Sequence, residues 1–368
     1  MQTAFSEDQE QFRLTIGRFL QDKSPPSAVR SLMATEQGFD ASVWSQMCGE
    51  LGLAGMHIPE AYGGFGFGPV ELGIVAEEMG RHLYCGPFFS SAVMAAGALM
   101  LNATSKAKEA WLPGIADGSV LATLVLDSLD GPEQIGAGVS VQAGALHGLA
   151  PLVVDAHLAD LMVVIARDAQ GLNLYTLTAD TAGVVVEPIE VLDPTRKLAR
   201  VIFDGAEVEH AGNMDEAAVA KTWDYMCVAL AHEMIGGAQQ LLETTLEYTK
   251  LRYQFGRPIG SFQSLKHRCA DLLLAVETAK AATHHAAQCL AAGEGEPYLP
   301  SMVKAMAADT YMLAAKEAIQ MRGGIGFTWE EDTHLWFKRA KSSEVFLGLP
   351  SVHRERMMTM IEQQESVL

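Results

Sequence analysis

Basic residues are scarce in this chain: 26 Lys and Arg stand against 45 Asp and Glu, a net charge of −19 with a pI near 4.9. At neutral pH such a surface repels nucleic acid and anionic lipid, which excludes non-specific binding to either. An anionic cofactor has to be met by local positive groups. Cysteine is sparse too, since Cys48, Cys85, Cys227, Cys269 and Cys289 make an odd number with no C-x-x-C spacing. That pattern argues against a disulfide framework or a zinc site and fits a reducing compartment. No apolar run approaches the ~20 residues of a membrane span, and the segment Met1 to Gln9 is acidic where a secretory signal needs a basic start. A soluble, cytoplasmic protein is expected. Neither a solenoid-period repeat nor a low-complexity tract occurs.

What is present is enough apolar material for a large core, 49% of 368 residues, in a length that suggests two or three domains. Ser6 with Gln9 reads as a capping box, with Phe5 placed to staple the start of a first helix. Helical periodicity continues through 43–53, 70–81, 90–101 and 107–116. After Gly118-Ser119 the pattern changes to seven short β-branched or apolar segments: 120–126, 138–141, 151–154, 161–165, 172–177, 184–188 and 199–203. From about Asp215 long helical periods return, over 217–251, 261–292 and 298–321, with a shorter pair ending near Ile361. The fold class expected is therefore a multidomain α+β protein: an N-terminal helical domain over 1–117, a middle β-barrel or sandwich over 118–212, and a C-terminal four-helix bundle over 213–368. Strands and helices do not alternate, so a parallel Rossmann sheet is excluded.

Several motifs have a bland reading. The glycine-rich stretch 63–68 lacks a preceding strand and follows Pro59, so a flexible turn is favoured over a phosphate loop. His284-His285 are neighbours on a helix and diverge by ~100°, so they cannot share one metal and receive no ligand role. Glu331-Asp332-Thr333-His334 has the E-x-x-H spacing of half a di-iron site, but the bundle offers no second pair. Two stretches carry more. In Arg252-Tyr253-Gln254-Phe255-Gly256-Arg257-Pro258, an arginine at a helix end can satisfy terminal carbonyls and still offer a fork to a pyrophosphate. From residue types alone, a basic C-cap followed by a turn is an equally good reading. In Gln320-Met321-Arg322-Gly323-Gly324-Ile325-Gly326-Phe327, the glycines allow positive φ and close backbone approach to a ligand.

The pairing of R-x-x-F-G with Q-x-x-G-G-x-G-F, with Gln263 eleven positions after Arg252, resembles the acyl-CoA dehydrogenase family over essentially the whole chain. Asp193-Pro194-Thr195-Arg196 and Pro59-Glu60-Ala61-Tyr62-Gly63-Gly64 are similar to that family's pattern as well. The resemblance implies an FAD-dependent oxidoreductase that takes an α-proton from an acyl-CoA thioester with a glutamate and passes the β-hydride to the flavin. It also implies a dimer or tetramer with FAD at the subunit interface, and an electron-transfer flavoprotein as acceptor. The family's contacts from one subunit to the adenosine pyrophosphate half of its neighbour's FAD fall on Arg252, Phe255, Gln263, Gln320 and Gly324.

The general base is missing from its commonest position, 27 residues after Gln320, which is Leu347. A minority position on the first long bundle helix falls near Met226. The nearest acids there are Asp224, rotated ~200° around the helix, and Glu233, on the same face but about 10 Å further along. For Glu233 a structural carboxylate is the favoured reading. The aromatic and threonine that touch the flavin ring in the family fall on Leu152 and Val154, and the loop over 123–138 looks curtailed. Contacts to a neighbour's cofactor persist while contacts to the chain's own flavin and substrate are eroded. The expected protein is thus one subunit of a heteromeric acyl-CoA dehydrogenase, such as an α2β2 assembly, of the kind that resembles enzymes acting on steroid side-chain CoA thioesters in lipid and steroid degradation. The alternatives are a homomeric dehydrogenase using Glu233 or Asp224, and a non-catalytic CoA-ester binding or assembly protein.

Overall fold

The structure is a computed structural model that describes residues 5–365; Met1 to Ala4, part of the segment read above for a secretory signal, lie outside the described residues. The chain divides into two compact units, one built from the described residues up to Val29, Gly73–Tyr84 and Cys227 onward, the other from Arg30–Leu72 and Cys85–Met226. No helix among the described residues is long and apolar enough to cross a membrane.

The first unit opens with helix α1, Glu7–Lys23, whose capping box forms as expected: Gln9 N donates to Ser6 Oγ at 3.2 Å and Ser6 N to Gln9 Oε1 at 3.0 Å. The same unit holds most of α4 (Pro69–Arg81) and α7 (Glu216–Leu251), together with α8 (Gln263–Ala292), α9 (Leu299–Arg322), α10 (Thr333–Val345) and α11 (Pro350–Glu365). Helix α9 is central, with α8, α10 and α11 packed around it. Its burial explains the Ala-rich stretch from Ala305 to Ala318, because small side chains let neighbouring helices approach. Backbones come closest between α4 and α7. A Cβ on Gly80 would collide with the Glu233 carbonyl oxygen, and one on Gly236 with that of Glu77.

The second unit contains α2 (Pro26–Met33) from Arg30 on, α3 (Ala41–Gly49), α5 (Ala96–Asn102), α6 (Ser105–Ala116) and eight strands rather than the seven expected. These are β1 (Ala122–Val125), β2 (Val139–Gln142), β3 (Ala145–Val154), β4 (Leu161–Arg167), β5 (Leu172–Thr178), β6 (Val184–Ile189), β7 (Leu198–Glu207) and β8 (Glu209–Asn213). They form one sheet in the order β6-β7-β3-β2-β4-β5-β8, with β1 parallel to β4. Val139, Leu146, Val164, Tyr175, Val201 and Phe203 fill its core. The first half of the helix expected over 90–101 is instead a fully buried π-helical segment, Phe88–Ala95, held by Ser90 donating to Asp155 at 2.7 Å and by Ser91 accepting from Ala122 N at 3.1 Å. The β3–β7 register slips between Ala150 and Val153, where Pro151 has no N–H to give the ladder.

Candidate functional site

Helix α7 ends at Leu251, and the chain reverses through a hairpin of β9 (Tyr253–Gln254) and β10 (Arg257–Pro258). Its two turn residues, Phe255 and Gly256, both have positive φ, +55° and +75°, as a two-residue primed turn requires. Glycine takes that conformation freely; phenylalanine does so only at a cost. The turn nevertheless holds Phe255 89% exposed, its ring edge-on to Phe262 at 6.1 Å, while the Arg257 guanidinium covers Phe262 at 4.0 Å. Arg252 is exposed and its guanidinium has no hydrogen-bond or ion-pair partner among the described residues. Gln263, the first residue of α8, is exposed as well.

The second motif stretch lies at the same end of the bundle, because the last turns of α9 pack against the end of α7 and the start of α8. Tyr248 Oη reaches the Arg322 carbonyl at 3.4 Å, Cys269 Sγ lies 3.8 Å from Met321 Sδ, and Arg268 pairs with Glu317 at 2.6 Å. Gln320 is exposed, and the chain then forms a 3-10 turn, Gly323–Phe327, in which a Cβ on Gly324 would meet open space. Arg322 anchors this turn. It is buried, donates to Glu331 at 3.0 Å, to Thr245 Oγ1 at 2.9 Å and to the Ala318 carbonyl at 3.2 Å, and lies over the Tyr248 ring. Its supporting role was missed from the sequence, where it reads as one more residue of the motif. Glu331, half of the E-x-x-H spacing, is the acceptor in this anchor and also takes the Thr333 hydroxyl at 2.8 Å.

Leu347, the position at which the sequence reading expects a base, is fully buried, with a left-handed φ of +54°. Two groups missed from the sequence hold its turn. His353 Nε2 lies 2.6 Å from the Leu347 carbonyl oxygen, and buried Lys304 donates to the carbonyls of Glu344 at 2.8 Å and Gly348 at 2.5 Å. Burial lowers the Lys304 ammonium to about 8 and the His353 imidazole to about 4. A single lysine within the apolar run 302–306 was the only signal for this clamp.

Of the two other acids considered, Glu233 is buried and paired with Arg339 at 3.2 Å, both side chains under one tenth exposed. Asp224 is half-buried on the Met226 stretch of α7, where Met226 itself is in the core. In the second unit, Leu152 sits in the β3 bulge and is partly exposed, whereas Val154 is buried with its carbonyl accepting from Thr123 at 2.6 Å. The 126–138 loop folds around Asp127, whose carboxylate accepts from the amides of Gly136 at 2.8 Å and Val139 at 3.0 Å. The glycine-rich 63–68 stretch is pinned rather than flexible. Gly64, Phe65, Gly66 and Phe67 donate their amides to the carbonyls of Pro59, Gly55, Ile58 and Met56, so these donors do not point outward to a phosphate.

His284, given no role from sequence, meets Glu77 of α4 at 2.9 Å, with His232 of α7 stacked on its ring at 5.4 Å and Lys280 3.5 Å from the other Glu77 oxygen. Although burial opposes ionisation, these neighbours hold Glu77 well below the usual carboxylate range. The three residues lie 155 and 52 positions apart in sequence, which is why no local motif announces them.

Family models describe the two helical ends of the chain: the acyl-CoA dehydrogenase N-terminal domain over residues 6–119 and the C-terminal domain over 217–361. The chain is 34% identical over 346 residues to acyl-CoA dehydrogenase IpdE2 of Mycobacterium tuberculosis, covering 94% of each, and 32% identical over 353 residues to IpdE2 of Mycolicibacterium smegmatis, covering 96% of this chain and 98% of that one. Among solved structures, a variant of the Tcur3481-Tcur3483 steroid ACAD superposes with a TM-score of 0.89 at 26% identity, over 98% of this chain and 99% of the other. Motifs at one bundle end, element order and full-length similarity agree: the chain belongs to the acyl-CoA dehydrogenase family.

Proposed function

We propose that this chain is the cofactor-clamping subunit of a heteromeric, FAD-dependent acyl-CoA dehydrogenase, catalysing α,β-dehydrogenation of an acyl-CoA thioester only together with a homologous subunit that carries the base. One observation carries the reading. At one end of the bundle Arg252, Phe255, Gln263, Gln320 and Gly324 stand exposed, while the expected position for a base is the buried Leu347 and the alternative acid Glu233 is already paired. The exposed set fits a dinucleotide. Arg252 is an uncommitted fork for a pyrophosphate, the open space over Gly324 admits a ligand against the backbone, and Phe255 presents an apolar face held out in solvent. When bound, FAD supplies the hydride acceptor; this chain's residues bind and orient it.

The domain limits we assign are 117/118 and 212/213. The steroid ACAD similarity favours a bulky, ring-containing acyl group, and an electron-transfer flavoprotein is the acceptor that the family resemblance implies. The test is co-expression with the product of a neighbouring homologous gene, followed by measurement of flavin per protein. One FAD per heterodimer is expected. If the chain purified alone retains FAD and acyl-CoA bleaches its flavin spectrum, the heteromer reading is lost.

A further inference from the structure

We propose that Glu77, His232 and His284 form a binding site for one divalent transition-metal ion of the zinc class, joining α4, α7 and α8. One donor atom from each lies within 4.8 Å of the other two. Two imidazoles and one carboxylate are a donor set that suits zinc, iron(II), cobalt(II) or nickel(II) rather than magnesium or calcium. Around an ion at the usual ~2.0–2.1 Å from nitrogen, tetrahedral donors stand roughly 3.3 Å apart. The Glu77 Oε2 to His284 Nε2 distance of 2.9 Å and the Glu77 Oε2 to His232 Nδ1 distance of 3.9 Å bracket that spacing. Small side-chain rotations close the set.

The second observation is His232 itself. It is buried to 99%, and neither ring nitrogen has a hydrogen-bond partner. A buried polar group left so is costly, and a folded protein meets it with an ordered water or an ion. The fold makes room for it: a Cβ on Gly73 would collide with the ring, and the Gly236 contact presses the Glu77 backbone against α7. Glu77 presents one oxygen to the imidazoles while Lys280 takes the other at 3.5 Å, so the carboxylate is oriented without its metal-facing oxygen being occupied by the ammonium. Phe5 closes the side of His284 at 4.7 Å between ring centroids. Glu77 and Lys280 also line a cleft of about 1200 Å³, which gives an ion a route in.

The experiment uses the full chain, stripped with a chelator, dialysed and titrated separately with Co²⁺ and Zn²⁺. Saturable binding of one equivalent, with visible ligand-field absorption for Co²⁺, is expected. Glu77→Gln and His284→Ala should each weaken binding at least about tenfold. His284 is at the rim, so its variant should fold, which circular dichroism checks. Lys280→Met removes the contact that orients Glu77 together with a like charge, two opposed effects, and should change the affinity less than either ligand variant does. Absence of one-equivalent binding, or binding unaltered in both ligand variants, would overturn the site and leave a hydrogen-bonded cluster only. Neither result bears on the flavin reading.

Discussion

Glu233 is the residue at which two functional readings part, and its pairing decides what substitution should do. Removing one member of a buried ion pair strands the other charge at about 3–5 kcal/mol, whereas replacing both with apolar side chains is far milder. Glu233→Leu and Arg339→Leu should each lower stability in denaturant melts by that order, and the double variant by much less than their sum. A catalytic base would add a second effect, with Glu233→Gln abolishing turnover beyond what its lost stability accounts for. Leu347 allows the converse trial. Leu347→Glu puts a carboxylate into an apolar site whose carbonyls are already committed to His353 and Lys304. The variant should melt earlier than the parent and gain no acyl-CoA-dependent flavin reduction on its own.

At the scale of elements, the α7–α8 hairpin is held in a form its own sequence disfavours. Phe255→Asn should leave the free chain as stable or slightly more so, since Asn accepts a left-handed φ readily, while the proposed heteromer should lose FAD in a flavin-to-protein assay. The α4–α7 crossing has the opposite character. Gly236→Ala drives a methyl into the Glu77 carbonyl and should cost at least about 1–3 kcal/mol, read as a fall in the denaturant midpoint. The long helices and seven of the eight strands, β3 only in its last four residues, were legible because period and punctuation coincide there. Strand β8 was not, since Glu209–Asn213 is polar and glycine-containing, and its strand form comes from pairing with β5. The Phe88–Ala95 segment reads as an ordinary helix because widening by one residue per turn leaves no mark on composition.

For the molecule as a whole, buried neutral imidazoles set the acid limit. Burial holds His57 and His353 at about 4 when folded, against about 6.5 when exposed. The unfolded chain therefore binds more protons between those values, and the stability from these groups, complete above pH 6.5, declines as pH falls toward 4. Each contributes on the order of 3 kcal/mol across that window. Glu77, depressed in the fold, acts in the same direction below the ordinary carboxylate range. Lys304, at about 8 when folded, adds stability as pH rises from there toward 10.5. Denaturant midpoints from pH 4 to 7 should rise with pH, and His353→Gln should flatten the slope. None of this was readable beforehand, because burial of a histidine or lysine depends on contacts tens to hundreds of residues away. The candidate cofactor contacts were readable, being packed into two short stretches, whereas Arg322, Lys304 and the Glu77 cluster required the fold. Phe255, Phe327 and, two residues past the second stretch, Trp329 are left 89%, 80% and 65% exposed. Where nothing covers it, such a cluster of large apolar side chains is an adhesive surface, and it acts on the chain's solubility rather than on its folding stability.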